Sequence, residues 1–305
     1  MAWKRYYHGD GVPRNVELDP PPPWRRFPRA PLGAAFQPPE GLTDVVNAAL
    51  SLRRPLLITG PPGTGKSTVI ESVAAELRLG PILRWHITSR STLTEALYRY
   101  DVLGRIHAQQ LKQNDDIALF LQLGPLGTAL MPSDRPRALL IDEIDKSDLD
   151  LASDMLDVLE RGEYEIPELA RYEQADVPVR LAGSADPRLI TNGRIQCTEF
   201  PFIVMTSNGE RDFPPPFLRR CIRYTMPTPT PEMLAGVVRA HLQLDAENAP
   251  LSRVLVDFHD RLVAGDNLAI DQLLNALFIL SDGPAPGTDE REAIVSLLLR
   301  DLSQA

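Results

Sequence analysis

Between residues 42 and 227 short apolar runs alternate with stretches of helical periodicity. Leu42–Leu52 has helical spacing, and Pro55–Thr59, ended by Gly60, has the pattern of a short buried strand. Val69–Leu79 sets Ile70, Val73, Ala74 and Leu77 on one helical face. Pro81–Thr88 predicts a second strand through Ile82, Leu83, Trp85 and Ile87. Ser89 or Ser91 then caps a helical stretch over Leu93–Arg105, and a Gln-rich segment runs to Asp116 before Phe120–Gly127 turns back toward the sheet. Ala138–Glu143 is a buried strand ending in two carboxylates. In Asp148–Arg161, Leu151, Met155 and Leu159 share one helical face, while Asp150, Asp154 and Asp157 share another. Val177, Val179 and Leu181 alternate ahead of turn signals at Gly183 and Asn192-Gly193, so Glu163–Glu199 predicts a β-hairpin insertion. Phe200–Asn208 is a further buried strand, and Phe217–Arg223 reads as a short helical turn. Past a linker at Pro227–Pro231, helices are predicted over Met233–Leu242, Leu251–Val263, Leu268–Leu280 and Glu292–Leu302. Buried strands separated by helices predict an α/β protein, a three-layer αβα core on a parallel sheet, followed by a small helical domain.

The strongest chemical signal lies between the first strand and its helix. Gly60-Pro61-Pro62-Gly63-Thr64-Gly65-Lys66-Ser67-Thr68 fits G-x-x-x-x-G-K-[ST]. Glycines let backbone N–H groups turn inward around phosphate oxygens, and the next helix adds its positive dipole end. Lys66 is the candidate ligand of the β- and γ-phosphates, and the Ser67 hydroxyl a candidate Mg²⁺ ligand. About 75 residues later, the strand ending at Asp142 and Glu143 supplies the complementary groups. Asp142 suits the metal, usually through its water, and Glu143 suits the base that activates water. Asn208 ends the next buried strand at the same sheet edge, where an amide would hold the attacking water. Arg219 and Arg220 supply planar cations of the kind that stabilise phosphoryl-transfer charge across an interface, set against an ordinary basic surface.

Composition narrows the partners. A net charge of −9 argues against non-specific binding to nucleic acid or anionic membranes. No apolar run has bilayer-spanning length and Met1–Asp10 has no signal-like apolar core, so the expected location is the cytoplasm. Two cysteines, Cys197 and Cys221, are too few for a disulfide framework or a Cys-based zinc site. The run Pro20–Pro23 and prolines 13, 28, 31, 38 and 39 predict extended, polyproline-type chain before residue 40. Within it, the basic–aromatic stretch Trp24–Arg29 either packs on its own domain or docks a partner, and Phe36–Leu42 are candidates to line a base. Tyr98 and Tyr100 are either core or a grip on polypeptide in a ring's pore, and the acidic face of Asp148–Arg161 is either solvated or set against a basic neighbour.

Taken together, GPPGTGKST at 60–68, LLIDE at 139–143, MTSN at 205–208 and FLRR at 217–220, ahead of a helical region, resemble an AAA+ ATPase. RPLLITGPPGTGKST, the insertion before FLQLGPLG, the IDEIDKSDLDLASDMLDVLERGE block and the hairpin before FPFIVMTSN resemble its MoxR-like branch, over about residues 42–305. The resemblance implies ATP and Mg²⁺ as cofactors and a homo-oligomeric, hexameric ring with ATP bound between subunits. It further implies chaperone-like remodelling of a protein partner, one bearing a von Willebrand factor A domain. It makes Lys66 and Ser67 the phosphate and metal ligands, Asp142 and Glu143 the Walker B pair, and Asn208 the first sensor. Arg220, or Arg219, becomes the arginine finger. The expected organisation is a Pro-rich extension over 1–40, an α/β domain over 41–227 with insertions near 89–125 and 163–199, and a helical lid over 228–305. One departure stands out: no Arg or Lys lies in Asp266–Asp271, where the family sets a basic second sensor, so Arg261 or Arg253 would have to substitute. Alternatives are a slowly hydrolysing nucleotide-gated assembly switch in a bacterial conflict or stress system, a nucleic-acid-linked motor, and a small-molecule kinase. A GTPase is disfavoured because no N-K-x-D tetrad occurs.

Overall fold

The computed structural model describes residues 6–27, 36–242, 249–266, 268–281, 293 and 295–301. The chain divides into two units, one of Pro38–Gly60 with Lys66–Met226, the other of Met1–Gln37, Pro61–Gly65 and Pro227–Ala305.

The first unit is built on a five-stranded parallel sheet. Its elements begin with α1 (Leu42–Leu52), β1 (Leu56–Thr59), α2 (Thr68–Glu76) and β2 (Leu83–His86). An excursion comes next, through α3 (Leu93–Leu97), β3 (Tyr98–Tyr100), α4 (Val102–Gln110), α5 (Ile117–Phe120), β4 (Leu121–Leu123) and α6 (Pro125–Ala129). The chain returns as β5 (Ala138–Asp142) and α7 (Leu149–Arg161). A second excursion contains β6 (Glu163–Glu165), α8 (Pro167–Ala170), β7 (Asp176–Val179), β8 (Arg188–Thr191) and β9 (Arg194–Gln196). The unit closes with β10 (Phe202–Ser207), α9 (Pro215–Leu218) and β11 (Ile222–Thr225).

Strand order is β11-β1-β10-β5-β2, every pair parallel. The central strands β1, β5 and β10 are apolar along almost their whole length because both faces are covered. Thr59 pairs with Ser207 and His86 with Asp142, so the carboxyl ends of four strands share one edge. That edge, where the strand order reverses around β1, is where a parallel sheet binds ligands.

Three local readings need correction. Leu93–Arg105 is not one helix. The capping hydroxyl is that of Thr92, which accepts the Glu95 N–H, rather than that of Ser89 or Ser91. The helix stops at Leu97, and Tyr98–Tyr100 pairs antiparallel with Leu121–Leu123. The aromatic and β-forming run wins there because β4 supplies a partner strand, which no local pattern reveals. The predicted hairpin is one half of a four-stranded antiparallel sheet, β6-β9-β8-β7. Ile222–Thr225 is a strand rather than a continuation of the helical turn. It lies at the sheet edge beside β1, and its alternating half-buried and exposed residues are the period-2 pattern of an edge strand.

The second unit contains α10 (Pro231–Leu242), α11 (Ala249–Ala264) and α12 (Ile270–Ser281), with helical backbone again at 295–298. The predicted helix over 292–302 lies only partly within the described residues. Leu234, Val238, Phe258, Leu273, Leu277 and others form its core. Trp24, on a 3-10 turn at Pro23–Arg25, packs against this core. Its indole N–H donates to Asn275 Oδ1 at 3.3 Å and its ring meets Phe278 edge-on at 5.9 Å. Of the two readings of the basic–aromatic stretch, Trp24 therefore fits the intramolecular one; residues 28 and 29 lie outside the described residues.

Candidate functional site

In the α/β unit the polar groups at the carboxyl ends of β1, β5 and β10 converge. Lys66 is 7% exposed, and its ammonium donates to Gly60 O at 2.7 Å and to Asn208 Oδ1 at 2.8 Å. Burial lowers the Lys66 pKa, and the negative charges of Asp145, Asp142 and Glu143 oppose that shift. A buried ammonium needs such acceptors, or phosphate oxygens in their place, to remain charged.

Asp142, the last residue of β5, takes two hydroxyl donors on one oxygen. Ser67 Oγ stands 2.8 Å from Asp142 Oδ1, and Thr206 Oγ1 stands 2.6 Å from it. The same Thr206 hydroxyl accepts the Glu143 N–H at 2.9 Å. Glu143 has φ 60° and ψ 47°, left-handed for a residue with a side chain, and the bond its N–H donates to Thr206 holds it where the strand ends. Its carboxylate pairs with Lys146 Nζ at 2.7 Å, and His86 Nε2 lies 3.6 Å away. The pair raises the Lys146 pKa.

Two glycines show why the loop needs that residue type. A Cβ at Gly60, whose φ is +143°, would stand 3.0 Å from Met226 Cβ in the α/β unit. In the helical unit, a Cβ at Gly63 would stand 2.7 Å from Ile270 N and 2.9 Å from Ala269 Cβ. Gly65 also has positive φ, and Thr64 Oγ1 donates to Pro61 O at 2.9 Å. Pro62 and Thr68 complete the loop, Thr68 opening α2. Within the α/β unit, Lys66, Ser67 and Asp142 fit a phosphate group with Mg²⁺: a buried cation, and a hydroxyl paired with a carboxylate as hard oxygen donors.

A family model for the AAA domain, dynein-related subfamily, matches residues 55–221, more than half of the chain. The chain belongs to this AAA domain family. No curated protein matches it. Among solved structures it resembles a Thermotoga maritima RuvB P216G mutant at 17% identity and TM-score 0.44, covering 84% of this chain and 67% of that one. It resembles Brucella abortus NtrX in complex with ADP at 15% identity and TM-score 0.46, covering 86% of this chain and about half (53%) of that one. C. elegans PCH-2 matches at 14% identity and TM-score 0.47, covering 89% of this chain and 73% of that one.

In this AAA domain, Lys66, Ser67, Asp142, Glu143 and Asn208 come together, whereas Arg219 and Arg220 bond elsewhere. Both arginines sit between α9 and β11. Arg220 bonds Glu160 of α7 through Nε at 3.1 Å and Nη2 at 2.8 Å, and the Arg219 carbonyl accepts Arg54 Nη1 at 3.2 Å. Of the proposed substitutes for a second sensor, Arg261 is paired with Asp266 at 2.7 Å and Arg253 is exposed. Tyr98 and Tyr100 are half-buried against the α/β core. The Tyr98 hydroxyl donates to Glu168 at 2.9 Å, and burial together with that carboxylate raises its pKa to about 12.

Sequence reasoning missed Thr206 and Asp145. Thr206 was legible only as a polar residue ending an apolar strand, and Asp145 only as a carboxylate within IDEIDK.

Proposed function

We propose that this AAA domain protein is a MoxR-like AAA+ ATPase that binds ATP with Mg²⁺ and hydrolyses it to ADP and phosphate. By the resemblance, it works at subunit interfaces of a hexameric ring in the cytoplasm and remodels or activates a protein partner, one with a von Willebrand factor A domain. Residues 1–40 form the extension of this reading, 41–227 the nucleotide-binding domain and 228–305 the lid. The observation that carries it is the buried Lys66 bonded to Gly60 O and Asn208 Oδ1 beside the Ser67–Asp142 pair.

Lys66 and the 60–68 backbone bind the phosphates, and Ser67 and Asp142 hold the metal, which supplies charge neutralisation when bound. Asn208 orients a water. Glu143 takes that water's proton as its oxygen bonds the γ-phosphorus and the bond to the ADP oxygen breaks. Arg220, or Arg219, serves a neighbouring subunit's site; the pair with Glu160 is largely exposed and contributes at most about 1 kcal/mol, so releasing it costs little.

The test is fluorescent-nucleotide titration of Lys66→Ala with phosphate release in parallel. Loss of ATP affinity by ~100-fold or more, the scale of losing a charge-assisted contact to phosphate, is expected. Tight binding with normal turnover overturns the assignment.

The alternative of a slowly hydrolysing nucleotide-gated switch has one observation in its favour, the Glu143 carboxylate held by Lys146 at 2.7 Å. Under it, Glu143→Gln assembles like the wild type and both release phosphate at similarly low rates.

A further inference from the structure

The segment after β10 leaves the sheet at Ser207, whose pairing with Thr59 is the last on that side. Beyond it the backbone N–H groups of Asn208, Gly209 and Glu210 have no strand to donate to, yet Asn208 is where the amide must be held. Asp145, on the 3-10 turn after β5, meets that need. It is 2% exposed, and its Oδ2 accepts from Asn208 N at 2.8 Å and from Glu210 N at 3.1 Å. Gly209 N donates to Ser207 Oγ at 3.0 Å, so all three donors are satisfied. Arg211 Nη1 donates to Ser147 O at 3.0 Å, tying the same two turns together a second time.

A neutral acceptor would bond the same two N–H groups more weakly than a carboxylate does. A buried carboxylate is costly unless other groups compensate it, and its second oxygen, Oδ1, is buried without a hydrogen-bond partner among the described residues. The negative charge of Asp145 favours the Lys66 ammonium, as do those of Asp142 and Glu143. The ammonium in turn bonds the Asn208 side chain at 2.8 Å. Asp145 thus grips the Asn208 backbone while the Lys66 ammonium grips the Asn208 amide.

We propose that Asp145 is a positioning residue of the hydrolytic site, fixing Asn208 against Lys66 by accepting the backbone N–H groups of Asn208 and Glu210 on its carboxylate. The proposal rests on the reading of Asn208 as the group that orients water. As a positioning residue, Asp145 governs turnover more than nucleotide affinity.

The experiment compares wild type, Asp145→Asn, Asn208→Ala and the double variant by thermal melting, ATP binding, steady-state kcat and KM, and amide exchange at 208 and 210. Asp145→Ser, a shorter neutral acceptor, stands in if Asp145→Asn does not fold. Asp145→Asn is expected to lower kcat about tenfold with KM and ATP affinity within about threefold, the scale of one charge-assisted contact. Exchange at 208 and 210 speeds up, and in the Asn208→Ala background the further loss of kcat falls below about twofold, as coupled sites require. Unchanged kcat, equal losses in both backgrounds, or unchanged exchange overturns the proposal. Undiminished turnover in Asn208→Ala instead overturns the reading of Asn208, and the exchange data then report the clamp separately.

Discussion

At the scale of single residues, the site is a set of short polar contacts that each satisfy more than one group. Thr206 shows the economy best: one buried hydroxyl donates to Asp142 and accepts from the Glu143 backbone. Thr206→Val keeps the shape of the side chain but leaves a buried N–H unpaired. The expected cost is about 1–3 kcal/mol in urea unfolding, with ATP affinity reduced as Asp142 loses a constraint. A variant as stable as the wild type would mean that water replaces the hydroxyl. Lys66 obeys the same logic with charge, the cost of its burial opposed by Asp145, Asp142 and Glu143. Such compensation is invisible in a linear pattern, which is why Asp145 within IDEIDK reads only as one more acid before an amphipathic helix.

At the scale of elements, patterns with one strong period were legible and those dependent on a distant partner were not. Helix α7 carries Leu151, Met155 and Leu159 buried on one face, with Asp150, Asp154 and Asp157 exposed on the other. Met155 has no exposed surface, so Met155→Ala should cost about 2–5 kcal/mol by calorimetry, the range of large-to-small core changes. Strands β3 and β11 escaped notice for a shared reason. Each is short and finds its pairing residues far along the chain, Tyr98 with Leu123 and Ile222 with Leu56. The 3-10 turn at Pro23–Arg25 belongs here too, since Trp24 ties otherwise extended chain to α12. Trp24→Ala should destabilise the helical unit by about 3–5 kcal/mol if the turn is integral to that core, read as an earlier melting step.

At the scale of the whole molecule, the separation of functions between chains is the decisive expectation. Arg220 is paired with Glu160 of its own chain, and no hydrogen bond joins it to Lys66 or Asp142 among the described residues. If it acts on a neighbour, Arg220→Ala and Glu143→Gln should each be inactive alone, while an equimolar mixture recovers a measurable share of turnover. Light scattering should show a rise to ring-sized mass with ATP and Mg²⁺ in the Glu143→Gln protein. A mixture without recovered activity, or a chain that stays monomeric, would remove the shared-site model. No helix among the described residues is long and apolar enough to cross a membrane.

The sequence by itself determined the parts whose chemistry is local. G-x-x-x-x-G-K-[ST] needs its glycines for backbone reasons at 60, 63 and 65, and four apolar residues before Asp142 suffice to bury a strand and leave its polar end at the sheet edge. The parallel sheet was legible too, because buried strands alternating with helices have few other ways to cover both faces. Only the tertiary structure decided which polar groups meet. That Thr206 serves Asp142 and Glu143 and that Asp145 holds the Asn208 turn depend on the parallel register of β5 and β10, segments about 60 residues apart, and that Arg220 rests on Glu160 depends on α7 packing beside α9. Register is a global property: it is fixed when every strand has buried its apolar faces at once, and no single stretch of chain carries it.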